Sequence, residues 1–209
     1  STAIAACTPR FALDSLPLPD TMTVDNFHDL NNLRNIVNGN YMVIYKDYLL
    51  PHYVQDIVFS LTADINLYDI TSNWIPIGTK RFAGTFLGNN HTLARLNSTR
   101  SVVGLFGTLT GKVYDLNITV NTITGADTAG AVCAILNGGR IENCSVKKYN
   151  NTSDNMYGVT VGGIAGVSLT ANDSIIGCFN YVDVMGIQCV GGIIAKDGNV
   201  KNSANLGDI

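Results

Sequence analysis

Glutamate is nearly missing from this chain of 209 residues: among sixteen acidic side chains only Glu142 is one. Charged residues of both signs make up just 14%. Glu, Lys and Arg are the residues that favour exposed helix positions, so a chain this poor in them cannot dress many surface helices. The net charge of −3 leaves no basic footprint and excludes nucleic acid as an expected partner. No run of about 18 apolar residues occurs, so the chain is not expected to span a membrane. The five cysteines, Cys7, Cys133, Cys144, Cys178 and Cys189, form no Cys-x-x-Cys pair and no cluster with His28, His52 or His91. Neither a zinc site nor any cofactor is expected.

What the chain does have is glycine, asparagine and a repeat. Gly104-Leu105-Phe106-Gly107 returns as Gly130-Ala131-Val132-Cys133, Gly162-Gly163-Ile164-Ala165-Gly166 and Gly191-Gly192-Ile193-Ile194-Ala195. The leading glycines stand 26, 32 and 29 residues apart, the period of a solenoid. A second block follows each: Val113-Tyr114-Asp115-Leu116, Ile141-Glu142-Asn143-Cys144, Ile175-Ile176-Gly177-Cys178 and Val200-Lys201-Asn202-Ser203. The first residue of each is apolar and β-branched, and the middle pair is polar or glycine in most copies. The pattern reads as a short strand, a tight corner and another short strand. One such coil cannot bury its apolar face alone, whereas neighbours above and below complete a core. The fold class expected is all-β, a right-handed parallel β-helix with a short N-terminal capping helix.

These blocks resemble the GLUG motif. The stretch from Ala63 to Leu96 resembles the segment that leads into GLUG arrays, with an Asp64-Ile65-Asn66-Leu67 strand, a Trp74-Ile75-Pro76-Ile77-Gly78 turn and a Gly84-Thr85-Phe86-Leu87-Gly88-Asn89-Asn90-His91 strand. Asn90 stands where that pattern has glycine. The resemblance covers residues 24–209. It implies a β-solenoid of the kind found in bacterial surface proteins, adhesin-like proteins and some immunoglobulin-A peptidases. In those peptidases the metal site is an HExxH motif elsewhere, and the three histidines here do not have that spacing. Peptidase activity is not carried over.

Residues 1–22, with Pro9, Pro17 and Pro19, read as an extended arm. Residues 23–39 read as the capping helix, with Phe27, Leu30, Leu33 and Val37 on one face, Thr23 or Asp25 as cap and Gly39 as stop. Residues 40–100 form lead-in strands, and 101–209 the coils. The tyrosines between Asn40 and Phe59 read as half-buried strand residues in preference to sugar-stacking platforms. The pattern breaks off in mid-coil at Ile209, without a polar cap. Asn205, Leu206, Asp208 and Ile209 are therefore expected at an assembly end, joined head-to-tail by another copy or continued in a longer chain.

Asn180 and Asn205 occupy one corner position and are expected to stack as an amide ladder. Cys144 and Cys178 share another position, with Cα atoms expected about 5 Å apart, within disulfide range; the alternative is two small buried core residues. Seven Asn-x-Ser/Thr triplets, at Asn90, Asn97, Asn117, Asn143, Asn150, Asn151 and Asn172, are N-glycosylation acceptors in a secreted eukaryotic protein, or chance products of an Asn- and Thr-rich chain. Asp115, Asp127, Asp154, Asp173, Asp183 and Asp197 fall singly at corners or loops. No carboxylate pair with a flanking base emerges, so no catalytic residue is named and a polysaccharide-active enzyme is the lesser alternative. The expectation is a secreted or cell-surface structural or adhesive module. It either self-associates into a filament or contacts a glycan or a host-surface protein.

Overall fold

The computed structural model describes residues 18–39, 44–67, 73–150 and 155–209. Among them the chain is an all-β parallel solenoid of about five turns with one α-helix. A seven-stranded sheet stacks Thr21–Val24, Val58–Leu61, Thr85–Leu87, Lys112–Tyr114, Arg140–Glu142, Ser174–Ile176 and Asn199–Lys201. A four-stranded sheet stacks Phe106–Leu109, Cys133–Leu136, Ala165–Ser168 and Ile194–Lys196. An eight-stranded sheet holds the rest of each coil. Its long strands Thr92–Val103 and Asn117–Gly130 bend over a corner that later coils make with two separate strands, such as Ser145–Lys148 and Asn155–Gly162.

The repeat blocks supply the register. Val113, Ile141, Ile175 and Val200 stand opposite one another, and Met22, Phe59 and Phe86 extend the same inward row towards the N-terminus. The leading glycines stack too, Gly130 on Gly162 and Gly162 on Gly191. Each opens a corner too tight for a side chain: a Cβ on Gly162 or Gly191 would lie 2.0 Å from the carbonyl oxygen of Ala165 or Ile194. The third position of the second block explains its composition. Asp115, Asn143, Gly177 and Asn202 all have positive φ, between 50° and 62°, the left-handed region that Gly, Asn and Asp tolerate best.

The helix runs from Phe27 to Val37. Its cap is Asn26, whose side chain accepts from the Asp29 N–H at 3.1 Å, in place of Thr23 or Asp25. The Asp29 carboxylate accepts from the N–H of Asp25, the residue before the cap, at 3.0 Å. Leu30, Leu33, Ile36 and Val37 are buried against the first coil. The Trp74–Gly78 turn completes this lid. Trp74 donates its indole N–H to the Leu105 carbonyl at 3.1 Å, and Ile77 bridges to Phe106, so the turn is a shortened first strand of the four-stranded wall. Asn38 ties the helix end to it, donating to the Pro76 carbonyl and accepting from the Gly78 and Thr79 N–H groups.

Thr21–Val24 is a strand paired with Val58–Leu61, with Met22 and Val24 buried, inside a span the sequence assigns partly to an arm. Residues 1–17 lie outside the described residues, as do Asn40–Val43. Tyr45 is buried, its ring edge-on to Phe59 at 5.7 Å, and Tyr48 is half-buried, which is the packing role expected for this stretch.

Candidate functional site

Among the described residues, the aspartates singled out in the sequence serve separate local roles, while Asp25 and Asp29 share the Lys46 ammonium. Asp173 is fully buried, and its carboxylate accepts from the Ser168 hydroxyl at 2.7 Å and from the N–H groups of Gly139, Leu169 and Thr170 at 2.9–3.0 Å, with Gly138 as a further donor. Burial alone raises its pKa, but the hydrogen bonds from Ser168, Thr170, Gly138 and Gly139 outweigh that and hold the carboxyl below the usual range. It is the hub of a corner between adjacent coils. Asp183 is held low by the Lys148 ammonium at 2.5 Å and by the Asp208 N–H. Asp127 accepts from the Ser101 hydroxyl, Asp115 from the Asn143 amide, and Asp197 lies at an exposed turn. Asp154 is outside the described residues. Among the described residues no group of three His, Cys, Asp or Glu side chains is placed to hold a metal.

Asn180 and Asn205 do form the ladder. The Asn180 amide donates to Asn205 Oδ1 at 2.8 Å and to the Val182 carbonyl, and accepts from the Val182 N–H. Asn205 donates to the Gly207 carbonyl at 2.7 Å, the same corner closure one coil on. At this end Val200, Leu206 and Ile209 are exposed, and Asn199–Lys201 and Ala204–Asn205 are the last strands of their sheets. The opposite edge differs. The Thr23 carbonyl accepts from the Tyr45 hydroxyl at 2.6 Å and the Asp25 N–H is taken by Asp29, so side chains block further strand addition there.

Cys144 and Cys178 occupy the same position in adjacent coils, but both are free thiols and the expected bridge is not formed. In-register neighbours in a parallel sheet hold equivalent atoms about 4.8 Å apart. A disulfide needs Cβ atoms about 3.5–4.5 Å apart, closer than the ladder spacing holds equivalent atoms. Burial pushes the Cys144 thiol pKa well up. Of the triplet asparagines, Asn90, Asn143, Asn150 and Asn172 are exposed, and Asn97 and Asn117 are half-buried. Asn117 is engaged on both sides, donating to the Asn90 carbonyl and accepting from Ser145. Asn151 is outside the described residues.

The feature the sequence reading missed lies on the long face of the eight-stranded sheet. Gly125, Gly158 and Gly186 stack in one row, and each is followed by a bulge that shifts the register. Their signal was a glycine four or five residues ahead of the block glycine in three successive copies. Beside the row lies a largely apolar groove of about 340 Å³, touched by Gly125 and bordered by Arg100, Thr124, Tyr157, Val159 and Ile187. Tyr157, Met185 and Ile187 are 42%, 47% and 65% exposed beside it. Large apolar side chains gathered on one face mark interaction surfaces more often than chance placement.

No protein-family model matches the chain, and the search of curated proteins found no match. Among solved structures, the chain is similar to the crystal structure of a putative immunoglobulin A1 protease from Bacteroides ovatus, with 18% identity and a TM-score of 0.57. The similarity covers 88% of this chain and 66% of that one. At that identity the two share a fold, the β-solenoid.

Proposed function

We propose that this chain is an extracellular, non-enzymatic β-solenoid module of GLUG type, structural and adhesive in role, whose outer sheet face binds a glycan or a surface protein. The observation that carries the reading is the apolar groove with Tyr157 and Ile187 exposed along it and Met185 exposed beside Tyr157. A solenoid holds such a face in place with little further ordering cost, because its side chains sit on strands of one continuous sheet, Tyr157 on a strand paired on both sides and Met185 and Ile187 on the strand that ends the sheet. The dispersed carboxylates support the absence of a hydrolytic centre. The neighbour's name speaks of a protease, but the HExxH motif associated with such peptidases does not occur in this sequence. The test is saturable binding to immobilised polysaccharides and extracellular-matrix proteins, compared with Tyr157→Ser and Ile187→Ser variants. The reading expects an intact ligand and at least a roughly tenfold loss of affinity in the variants. Cleavage of the ligand, or no saturable binding to any of them, sinks it.

Head-to-tail self-association is the second reading: Leu206 and Ile209 are exposed on the last described coil, where a second copy or a continuation of the chain would pack. Tyr45 and Asp29 already take the Thr23 carbonyl and the Asp25 N–H, and residues 1–17, which the sequence reads as part of an arm, are the segment to remove in the test. Sedimentation of the whole chain and of a chain lacking residues 1–17 decides it: concentration-dependent polymer lost on truncation supports assembly, and a monomer at high concentration refutes it.

A further inference from the structure

The apolar groove changes its chemistry from one end to the other. Thr99 and Arg100 lie on Thr92–Val103, Thr124 on Asn117–Gly130, Tyr157 and Val159 on Asn155–Gly162, and Ile187 on Asp183–Gly191, four neighbouring strands of the eight-stranded sheet. Thr99, Thr124 and Tyr157 stand in one row, each paired with the next, and Val159 and Ile187 come from the bulged stretches behind Gly158 and Gly186. The Thr99 end is cationic. Arg100 is exposed there, and its Nε donates to the Trp74 carbonyl at 3.2 Å. Arg34 stands on the same tryptophan, its guanidinium 4.9 Å from the ring centre; burial, and then the Arg100 charge, hold its pKa below the ordinary value. Among the described residues the ion pairs join Lys46 to Asp25 and Asp29, His91 to Asp64, Arg140 to Glu142, and Lys148 to Asp183. Neither Arg100 nor Arg34 enters one, and Asp127 on the next strand is taken up by the Ser101 hydroxyl. The other end is apolar, with the Tyr157 ring facing Val159 and Ile187 across the groove.

From this juxtaposition we infer that the groove binds a glycan ending in an N-acylated sugar acid. The inference rests on the binding-module reading above and names the ligand class of the same site. Such a sugar carries a carboxylate on one side of its ring and an acyl methyl on the other. The carboxylate pairs with Arg100, whose planar fork suits a two-point contact. The ring lies against Tyr157, the methyl enters between Val159 and Ile187, and ring hydroxyls meet those of Thr99 and Thr124. Strands about 4.8 Å apart set Arg100 and Val159 roughly 10 Å apart along the axis, a gap that the length of an arginine side chain narrows to one substituted sugar. Neither end alone specifies the ligand. A neutral sugar leaves the guanidinium end unpaired, and an acid without the acyl group sets hydroxyls against side chains that offer them no hydrogen bond. One carboxylate answers one exposed guanidinium, so the site has no call for a polyanion.

The experiment is titration with sialyllactose in both of its linkage isomers, followed by saturation-transfer NMR. Lactose lacks both groups, N-acetyllactosamine has the acyl group alone, and glucuronate has the carboxylate alone. Saturable binding of at least one sialyllactose is expected, about tenfold or more tighter than any control, with the strongest transfer at the acetamido methyl. Arg100→Gln and Ile187→Ser should each weaken it about tenfold, and the parent's salt dependence should be lost in Arg100→Gln alone. Circular dichroism and Tm confirm that both variants fold, and Ile187→Ser, at an exposed side chain, carries the test if Arg100→Gln does not. The proposal is overturned by no binding of either isomer, by equal binding of N-acetyllactosamine or glucuronate, or by binding that the folded variants leave unaltered. If Tyr157-dependent binding of another glycan or of a protein persists while both isomers fail, the inference falls and the binding-module reading stands. If nothing binds, both fall.

Discussion

Asn180 donates its amide to Asn205 one coil away at 2.8 Å while closing its own corner through both the N–H and the carbonyl of Val182. Because Asn180 is fully buried, Asn180→Ala leaves the Val182 backbone groups without partners in the interior. A loss of about 2–4 kcal/mol in urea unfolding is expected. Asn205→Ala, at the open end, should cost only about 1 kcal/mol. Equal losses at the two positions contradict the ladder as a buried device.

The corners give a paired prediction. Gly162→Ala places a Cβ on the Ala165 carbonyl oxygen and should destabilise by more than about 2 kcal/mol or prevent folding. Gly177→Asn puts at φ 62° a residue type already present at that corner in Asn143 and Asn202, meeting only the tip of the Asn143 side chain. It should shift stability by less than about 1 kcal/mol. Thermal denaturation of both variants checks the contrast.

Asp173 makes stability depend on acid. Its folded-state pKa is lowered, so its contribution is fully present above the unfolded value of about 3.9 and is lost as pH falls through the folded value. Asp173→Asn should unfold more readily than the parent at pH 7, and the gap should close as the pH drops below about 4. A gap independent of pH refutes this account of the carboxylate.

Cysteine reactivity should follow burial. In a Cys7→Ser background, native protein should expose Cys189, which is half-buried, to a thiol reagent well before Cys133, Cys144 and Cys178, which are buried. All four should react once the chain is unfolded. A native mass two hydrogens short, mapped to Cys144 and Cys178, contradicts the free-thiol state.

Trp74, the sole tryptophan, reports on the lid. It is 2% exposed, with Phe27 edge-on at 6.3 Å and the Arg34 guanidinium 4.9 Å above the ring. Asn38→Ala cuts the bonds that tie the helix to the Pro76–Thr79 turn. A red-shifted Trp74 emission with about 1–3 kcal/mol lost is expected. Unchanged emission and stability would show that the helix is held by its apolar face alone.

The period was legible because it repeats a physical necessity: at one position of every coil a Cβ meets a carbonyl oxygen, and at another φ is positive. Those demands left Gly130, Gly162 and Gly191 in one row and Asp115, Asn143, Gly177 and Asn202 in another, visible without a structure. The helix was legible from its apolar stripe, but its cap was not, since Thr23, Asp25 and Asn26 all suit the position and only backbone geometry chooses among them. Position sharing by Cys144 and Cys178 was equally plain, but bonding depends on Cβ separation, which sequence spacing does not carry. The groove escaped notice for another reason. It is made by side chains from four coils, and the bulges after Gly125 and Gly158 fix which residues meet.

The central claim is that this solenoid holds a ligand and leaves it uncut. Titrating the protein with a panel of polysaccharides while assaying the same samples for new reducing ends tests it most directly. The account predicts saturable binding with no new ends over hours of incubation. New ends that accumulate with time, or a panel that binds nowhere, would contradict it.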